Sequence, residues 1–213
     1  MRFLVTAGPT REHLDPVRFL SNRSTGRMGF AVAAAAAEAG HDVTLVAGPV
    51  ALATPPGAAR VDVVSARDML AAVQARLDDA DVLVMTAAVA DWRPRHTAAA
   101  KLKKAAMNPV IELEPNPDIL ATLAQAKAGR TFVGFAAETG DPLPEARRKL
   151  IAKGLDLIVA NDVSRSDSGF AVDTNRVTLI GADGTFAPLP LLTKHEVACE
   201  IVKWCETRRG TQT

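Results

Sequence analysis

Six short apolar runs, most of them separated by stretches of helical composition, restrict this chain more than any other feature. RFLVT (2–6), HDVTLVAGPV (41–50), VDVV (61–64), DVLVMTAAV (81–89), TFVGFAAET (131–139) and LDLIVAND (155–162) are nearly continuous in hydrophobic residues. A strand with one wet face would alternate apolar with polar, so a run apolar throughout is covered on both faces. Helices on both sides of a parallel sheet provide that cover. The intervening segments suit the role. MGFAVAAAAAEAG (28–40) has strong helix formers with small side chains, which let it lie close to a sheet, and Gly40 closes it. Ser65 and Asp68 have the spacing of a capping box, and Met69, Leu70, Val73 and Leu77 form a buried stripe behind them. The expected fold is α/β, a Rossmann-like, doubly wound, mostly parallel sheet, in a single domain over 1–213.

The C-terminal third breaks the alternation. NRVTLIGADGTFAPLP reads as an antiparallel hairpin around Asp183-Gly184, and 163–190 as a protruding arm that meets a partner subunit. A last helix starts at Thr193 with Glu196 in capping-box spacing, and Ala198, Ile201, Val202 and Cys205 are its core stripe. Its two cysteines, Cys199 and Cys205, cannot pair with each other at six residues' separation on one helix, so a reducing cytoplasm is the simplest compartment. The N-terminus reads as strand and turn rather than signal peptide, and no run approaches the roughly 18–20 apolar residues of a membrane span. A formal net charge of +1 leaves no bulk basic field for nucleic acid, so an anion site must be local.

Open parallel sheets bind ligands beyond the C-terminal ends of their strands, which directs attention to loops 7–27, 90–100, 114–118, 137–142 and 160–170. The first carries Arg18, Ser21, Asn22, Ser24, Thr25 and Gly26 directly before a helix, a combination that can hold an anion, although it matches neither common glycine-loop fingerprint. In 91–104, DWRPRHTAAAKLKK, an extended KLKK would set Lys101 and Lys103 on one face, suited to a polyphosphate, with VIEL (110–113) as its pairing strand. A solvated basic loop is the simpler reading of that run alone. Asn116-Pro117-Asp118 reads as a helix start with Asn116 as cap, and Lys149 and Lys153, four apart, share a helix face. Asp91 suits a ribose hydroxyl, a cation or a structural cap. The four histidines lie at no metal or triad spacing.

In order along the chain, TAGPTRE, LDPVRFLSNRSTGRMG, AAVADWRP, KLKK, NPDIL, VGFAAET and ANDVS together resemble phosphopantothenoylcysteine synthetase, from residue 2 to about 206. The resemblance implies a CTP-dependent ligase of coenzyme A synthesis that joins 4′-phosphopantothenate to cysteine through an acyl cytidylate, with Mg²⁺ on the phosphates. It places Met85, Thr86, Ala87, Asp91, Lys101, Pro117, Asp118, Ile119, Leu120, Phe135, Lys149 and Lys153 at the nucleotide, with Asp91 also a candidate for the cation. It assigns Asn22 to the acyl group, Lys101 to formation of the cytidylate, and Arg18 and Arg27 to phosphate. It further implies a homodimer, and a flavin-dependent decarboxylase fused or associated, with no flavin in this chain.

Two other readings compete. A nicotinamide-dependent short-chain reductase opens with a similar strand, glycine loop and Ala-rich helix, but its chemistry normally uses a tyrosine acid and this chain has no tyrosine. A non-catalytic nucleotide-binding module would be expected to lose Asn22 or Lys101, and both are present.

Overall fold

A computed structural model describes residues 1–104, 110–164 and 172–210. In chain order its elements are β1 (Arg2–Ala7), β2 (Arg11–His13), β3 (Phe19–Ser21), α1 (Arg27–Glu38), β4 (Asp42–Ala47), β5 (Ala58–Asp62) and α2 (Ala66–Leu77). Then follow β6 (Val82–Met85), β7 (Trp92–Pro94), β8 (Leu113–Pro115), α3 (Ile119–Leu123), β9 (Thr131–Glu138), α4 (Leu143–Ala152) and β10 (Leu157–Asp162). The chain finishes with β11 (Thr174–Asn175), β12 (Val177–Gly181), β13 (Phe186–Pro188), β14 (Leu192–Thr193) and α5 (Lys194–Gly210).

The main sheet runs β13-β12-β10-β9-β6-β1-β4-β5. All its pairings from β10 to β5 are parallel, and β12 and β13 add antiparallel at one edge. Strand periodicity sorts the core into two layers. Phe3, Val5, Leu45 and Val84 face Phe30 and Val32 of α1 and Val197 and Ile201 of α5. Leu4, Val46, Leu83, Phe132 and Ile158 face Met69 and Val73 of α2, Leu120 of α3 and Leu150 of α4. Each such side chain contributes about 1.5–3 kcal/mol on leaving water. The Ser65 capping box is formed, with both reciprocal bonds to Asp68 present. At the other end, Thr193 Oγ1 accepts from the Glu196 N–H while the Glu196 carboxylate accepts from the Thr193 N–H.

Several boundaries differ from the sequence reading. The third strand lies at 58–62 rather than 61–64, because its ladder pairs Ala58 to Asp62 with Val43 to Ala47. The strand expected over 81–89 stops at Met85. Beyond it the neighbouring strand turns away at Gly8, whose φ of +79° is cheap only for glycine, and one bridge, Pro9 to Ala88, continues the contact. KLKK is not a strand and does not pair with 110–113: both backbone polar groups of Leu102 are taken by side chains, and β8 pairs with β7 instead. Asp118, not Asn116, caps α3, accepting from the Ala121 N–H at 3.1 Å. Part of the expected arm is sheet edge, since β12 and β13 lie in the main sheet; 165–171 fall outside the described residues. The long loop 7–27 contains a small hairpin, β2 with β3, that the sequence reading missed.

Candidate active site

From β1 the chain moves outward through β4 and β5, then crosses back to β6 and proceeds outward through β9 and β10. The two directions diverge between β1 and β6, and connections leaving opposite ways open a crevice at the strands' C-terminal ends. A cleft of about 550 Å³ lies there, within the range of small-molecule sites.

One wall is the N-terminus of α1. Gly26, at φ +80°, turns the chain into the helix and supplies no side-chain cap, so this end of the helix suits an anion. Gly29 lets this end sit against the sheet: a Cβ there would stand 2.4 Å from Thr86 Oγ1, 2.5 Å from Ala7 Cβ and 2.8 Å from Thr6 O.

The floor is the segment after β6, and its backbone is fixed almost group by group. Thr86 donates its hydroxyl to Thr6 O, and the Ala87 N–H donates to Thr6 Oγ1 at 3.2 Å. Ala88 O accepts from the Thr10 N–H, and the Ala90 N–H donates to Thr10 Oγ1 at 3.0 Å. Asn22 spends both amide N–H groups here, on Ala88 O at 3.0 Å and Val89 O at 3.2 Å. Asn116 donates to Ala90 O at 2.8 Å, and its backbone N–H holds Asp91 O. Such pinning makes the 86–91 backbone a rigid template rather than a mobile loop.

The opposite wall is cationic. Lys149 lies 2.8 Å from Glu138 Oε1 and 3.6 Å from Glu145 Oε1; Lys153 lies 3.0 Å from Asp118 Oδ2. These partners hold the ammonium groups in place without cancelling their exposure to the cleft. Burial pushes the Asp118 carboxyl up, but the Ala121 N–H and Lys153 together leave it below the usual carboxylate range. At the far end stand Asn161, Asn175 and Lys194, all buried. Lys194 donates to Val172 O. Burial, with Arg27 nearby, draws its pKa down to about 8 against the opposing pull of Asp173.

Eleven of the residues expected at a nucleotide line this one cleft: Met85, Thr86, Ala87, Asp91, Pro117, Asp118, Ile119, Leu120, Phe135, Lys149 and Lys153. Arg27 joins them, 2.5 Å from Asp173. Three expected residues do not line it. Asn22 is exposed and grips the floor backbone through its bonds to Ala88 O and Val89 O. Arg18 is turned onto Asp15, with Nη2 2.5 Å from its carboxylate and 3.0 Å from Leu102 O. Lys101 is exposed on the 95–104 loop. Sequence reasoning missed Asn161, Asn175 and Lys194. Asn161 sits inside the ANDVS motif, but Lys194 read only as the second residue of a capped helix, and no spacing marks either as a cleft residue.

Comparison with known proteins bears on the family and the fold. Residues 1–208 match the model of the "DNA/pantothenate metabolism flavoprotein C-terminal domain". The chain is 48% identical over 201 residues to the "Coenzyme A biosynthesis bifunctional protein CoaBC" of Bacillus subtilis, covering 94% of this chain and 50% of that protein. It is 49% identical over 214 residues to the protein of that name from Mycolicibacterium smegmatis, covering 95% of this chain and 51% of the relative. The chain therefore spans about half the length of the curated relatives it matches. Among solved structures, the C-terminal domain of a CoaBC superposes with a TM-score of 0.85 at 45% identity, covering 99% of this chain and 96% of that one. A DNA/pantothenate metabolism flavoprotein from Streptococcus pneumoniae shares the fold, with a TM-score of 0.84 at 24% identity over 98% of this chain and 99% of the other.

Proposed function

We propose, because this chain belongs to the DNA/pantothenate metabolism flavoprotein C-terminal domain family, that it is a phosphopantothenate–cysteine ligase using CTP. The observation that carries the reading is convergence. Eleven residues assigned to a nucleotide by resemblance, drawn from separate parts of the chain, come together at the one crevice where a doubly wound sheet binds such ligands.

The chemistry follows from the substrate. A carboxylate has no leaving group, so the acid of 4′-phosphopantothenate attacks the α-phosphate of CTP, giving a mixed acyl–cytidylate anhydride and pyrophosphate. The cysteine amine then attacks the acyl carbon, CMP departs, and the amide remains. Catalysis is positioning and charge stabilisation. The α1 N-terminus, Lys149, Lys153 and Lys194 hold the triphosphate. The pinned 86–91 backbone and Leu120 and Phe135 hold the nucleoside, so base choice rests largely on backbone groups. Lys101 does not line the cleft, and its role in forming the cytidylate requires it to reach the triphosphate. Asn22 has both N–H groups engaged, so its carboxamide oxygen is the group that accepts from the incoming ammonium.

Among the described residues no three His, Cys, Asp or Glu side chains gather as a metal centre. Mg²⁺ beside nucleotides commonly takes one or two carboxylates plus phosphate oxygens, and Asp91, exposed in the cleft, fits that use. When bound, the ion neutralises phosphate charge. The reading assigns no flavin chemistry to these residues, and the decarboxylase belongs to a fused or associated partner. Among the described residues no helix is long and apolar enough to cross a membrane, and both cysteines are free, which supports a cytoplasmic site of action. A homodimer also belongs to the reading. The exposed apolar side chains of Phe19, Trp92 and Leu113 on the two small hairpins, and of Phe186 on edge strand β13, offer surface to a second copy.

The test is pyrophosphate release with CTP and 4′-phosphopantothenate, with and without cysteine, and with ATP in place of CTP. Release with CTP, and CMP plus amide only after cysteine is added, is the expected result. Release with ATP alone would overturn the nucleotide assignment, and no release with either would overturn the ligase. Lys101→Gln should block the first half-reaction, while Asn22→Asp should spare it and impair cysteine capture. Equal collapse of both steps in both variants would sink this division of roles.

A further inference from the structure

The Asp15 carboxylate is fully buried and does not line the candidate active-site cleft. Its oxygens are nonetheless saturated. Oδ1 accepts from the N–H groups of Val17 and Arg18, each at 2.8 Å. Oδ2 accepts from Arg18 Nε at 3.0 Å, from Arg18 Nη2 at 2.5 Å and from the Leu102 N–H at 3.2 Å. Arg18 Nη2 then donates to Leu102 O at 3.0 Å. The pair thus closes a ring around one peptide: Asp15 takes the N–H of Leu102 and Arg18 takes its C=O. Bonds to an ionised partner are about twice as strong as neutral ones, and the planar guanidinium fork fixes direction as well as distance.

That residue is flanked by Lys101 and Lys103. The grip is reinforced upstream, where the Ala98 N–H donates to Leu14 O at 2.9 Å and Thr97 Oγ1 donates to His13 O at 2.9 Å. On the other side, the hairpin that carries Asp15 is tied to the scaffold. The buried Glu12 carboxylate accepts from the Ala66 N–H at the start of α2, at 2.9 Å, and Ser21 Oγ donates to Thr10 O at 2.8 Å. A rigid path therefore runs from α2 and the cleft floor through β2 and β3 to the lysine loop. A long exposed loop with no ladder of its own would otherwise leave Lys101 to sample many positions, and ordering it on binding would cost conformational entropy.

We infer that Asp15, with Arg18, is a positioning residue that grips the Leu102 peptide as a fixed pivot, so that Lys101 reaches the triphosphate by side-chain and short-range motion rather than by a search of the whole loop. This rests on the proposed ligase reading for what Lys101 does, but not for where it is held. On this inference Arg18 serves the reaction through the loop.

Two measurements on the whole chain separate the inference from that reading. The first is amide hydrogen exchange at Leu102 in the unliganded protein. Asp15→Asn should raise it at least tenfold, and by more than it raises exchange at the core amides of β1 and β6, with CTP affinity close to wild type; unchanged exchange overturns the pivot whatever the enzyme catalyses. The second is pyrophosphate release in a double-mutant cycle. Asp15→Asn should lower kcat at least tenfold in the wild-type background and have no further effect in the Lys101→Gln background, since a group acting through Lys101 has nothing left to position. Additive losses, or full activity, overturn the inference. If Asp15→Asn does not fold, Arg18→Lys tests the same ring, because lysine keeps the charge but lacks the fork that reaches Asp15 and Leu102 together. If wild type releases no pyrophosphate while Asp15→Asn frees the Leu102 amide, the ligase reading falls and the pivot stands.

Discussion

Replacing Gly29 by alanine tests how the cleft is built. The added methyl would lie 2.4 Å from Thr86 Oγ1, 2.5 Å from Ala7 Cβ and 2.8 Å from Thr6 O. Carbon atoms rest at about 3.5–4.0 Å, so α1 must retreat from the sheet by about 1 Å. Two of the three neighbours belong to β1, which is hydrogen-bonded on both sides, and cannot move instead. Overpacking of this kind costs about 1–3 kcal/mol, and three simultaneous contacts put Gly29→Ala at the upper end. The helix propensity that alanine gains, at most about 1 kcal/mol, offsets only part of it. A net loss of about 2 kcal/mol lowers the melting temperature by about 4–8 °C for a chain of this size. Because Gly29 and Thr86 both line the cleft, the retreat also moves the α1 N-terminus off the phosphates, and a 1 Å error in placement costs about 100-fold. The assay is thermal denaturation together with steady-state kinetics against CTP. Gly40→Ala is the comparison: φ is +80° but nothing lies within 4 Å, so it should lose about 1–2 kcal/mol with the CTP KM unchanged. A Gly29→Ala protein with wild-type melting temperature and CTP KM would refute the argument that this glycine sets the gap between α1 and the sheet.

Two further outcomes are expected. Lys149→Met and Lys153→Met should each raise the CTP KM about 10- to 100-fold, the loss of one charge-assisted contact, while Arg147→Met, whose guanidinium stacks on Phe186 away from the cleft, should leave it unchanged. Equal effects at all three positions in a KM series would contradict the assignment of a cationic wall. Lys194 is charged below a pKa of about 8 and neutral above it, so anion binding weakens as pH rises through that value; bound phosphate opposes the change by raising the pKa. The CTP KM should therefore climb above about pH 8, and Lys194→Met should have a raised KM that no longer climbs there. A wild-type KM that is flat from pH 7 to about pH 9.5 would show that Lys194 does not face the nucleotide.

How much of this was legible without a structure can be argued residue by residue. The apolar runs 2–6, 41–50 and 131–139 read as two-sided strands because they are too short for a typical buried helix and are bounded by turn residues, and the capping pairs Ser65 with Asp68 and Thr193 with Glu196 are local enough to read directly. Those short-range terms determined the parallel sheet, its helices and the opening of a crevice at the strand ends. Resemblance supplied the nucleotide residues, and their spacing along the chain would not have. Three features depended on partners far away in sequence. Asn116 looked like a helix cap but is drawn to Ala90 and leaves the cap to Asp118. KLKK could have extended as a strand, but the Leu102 peptide at its centre is bonded to Asp15 and Arg18, more than 80 residues earlier. Lys194 looked like an ordinary first-turn residue until the fold buried it beside Arg27. Local propensity is worth a few tenths of a kcal/mol per residue, whereas a buried charge-assisted bond is worth several times that, so where the two compete the tertiary partner decides.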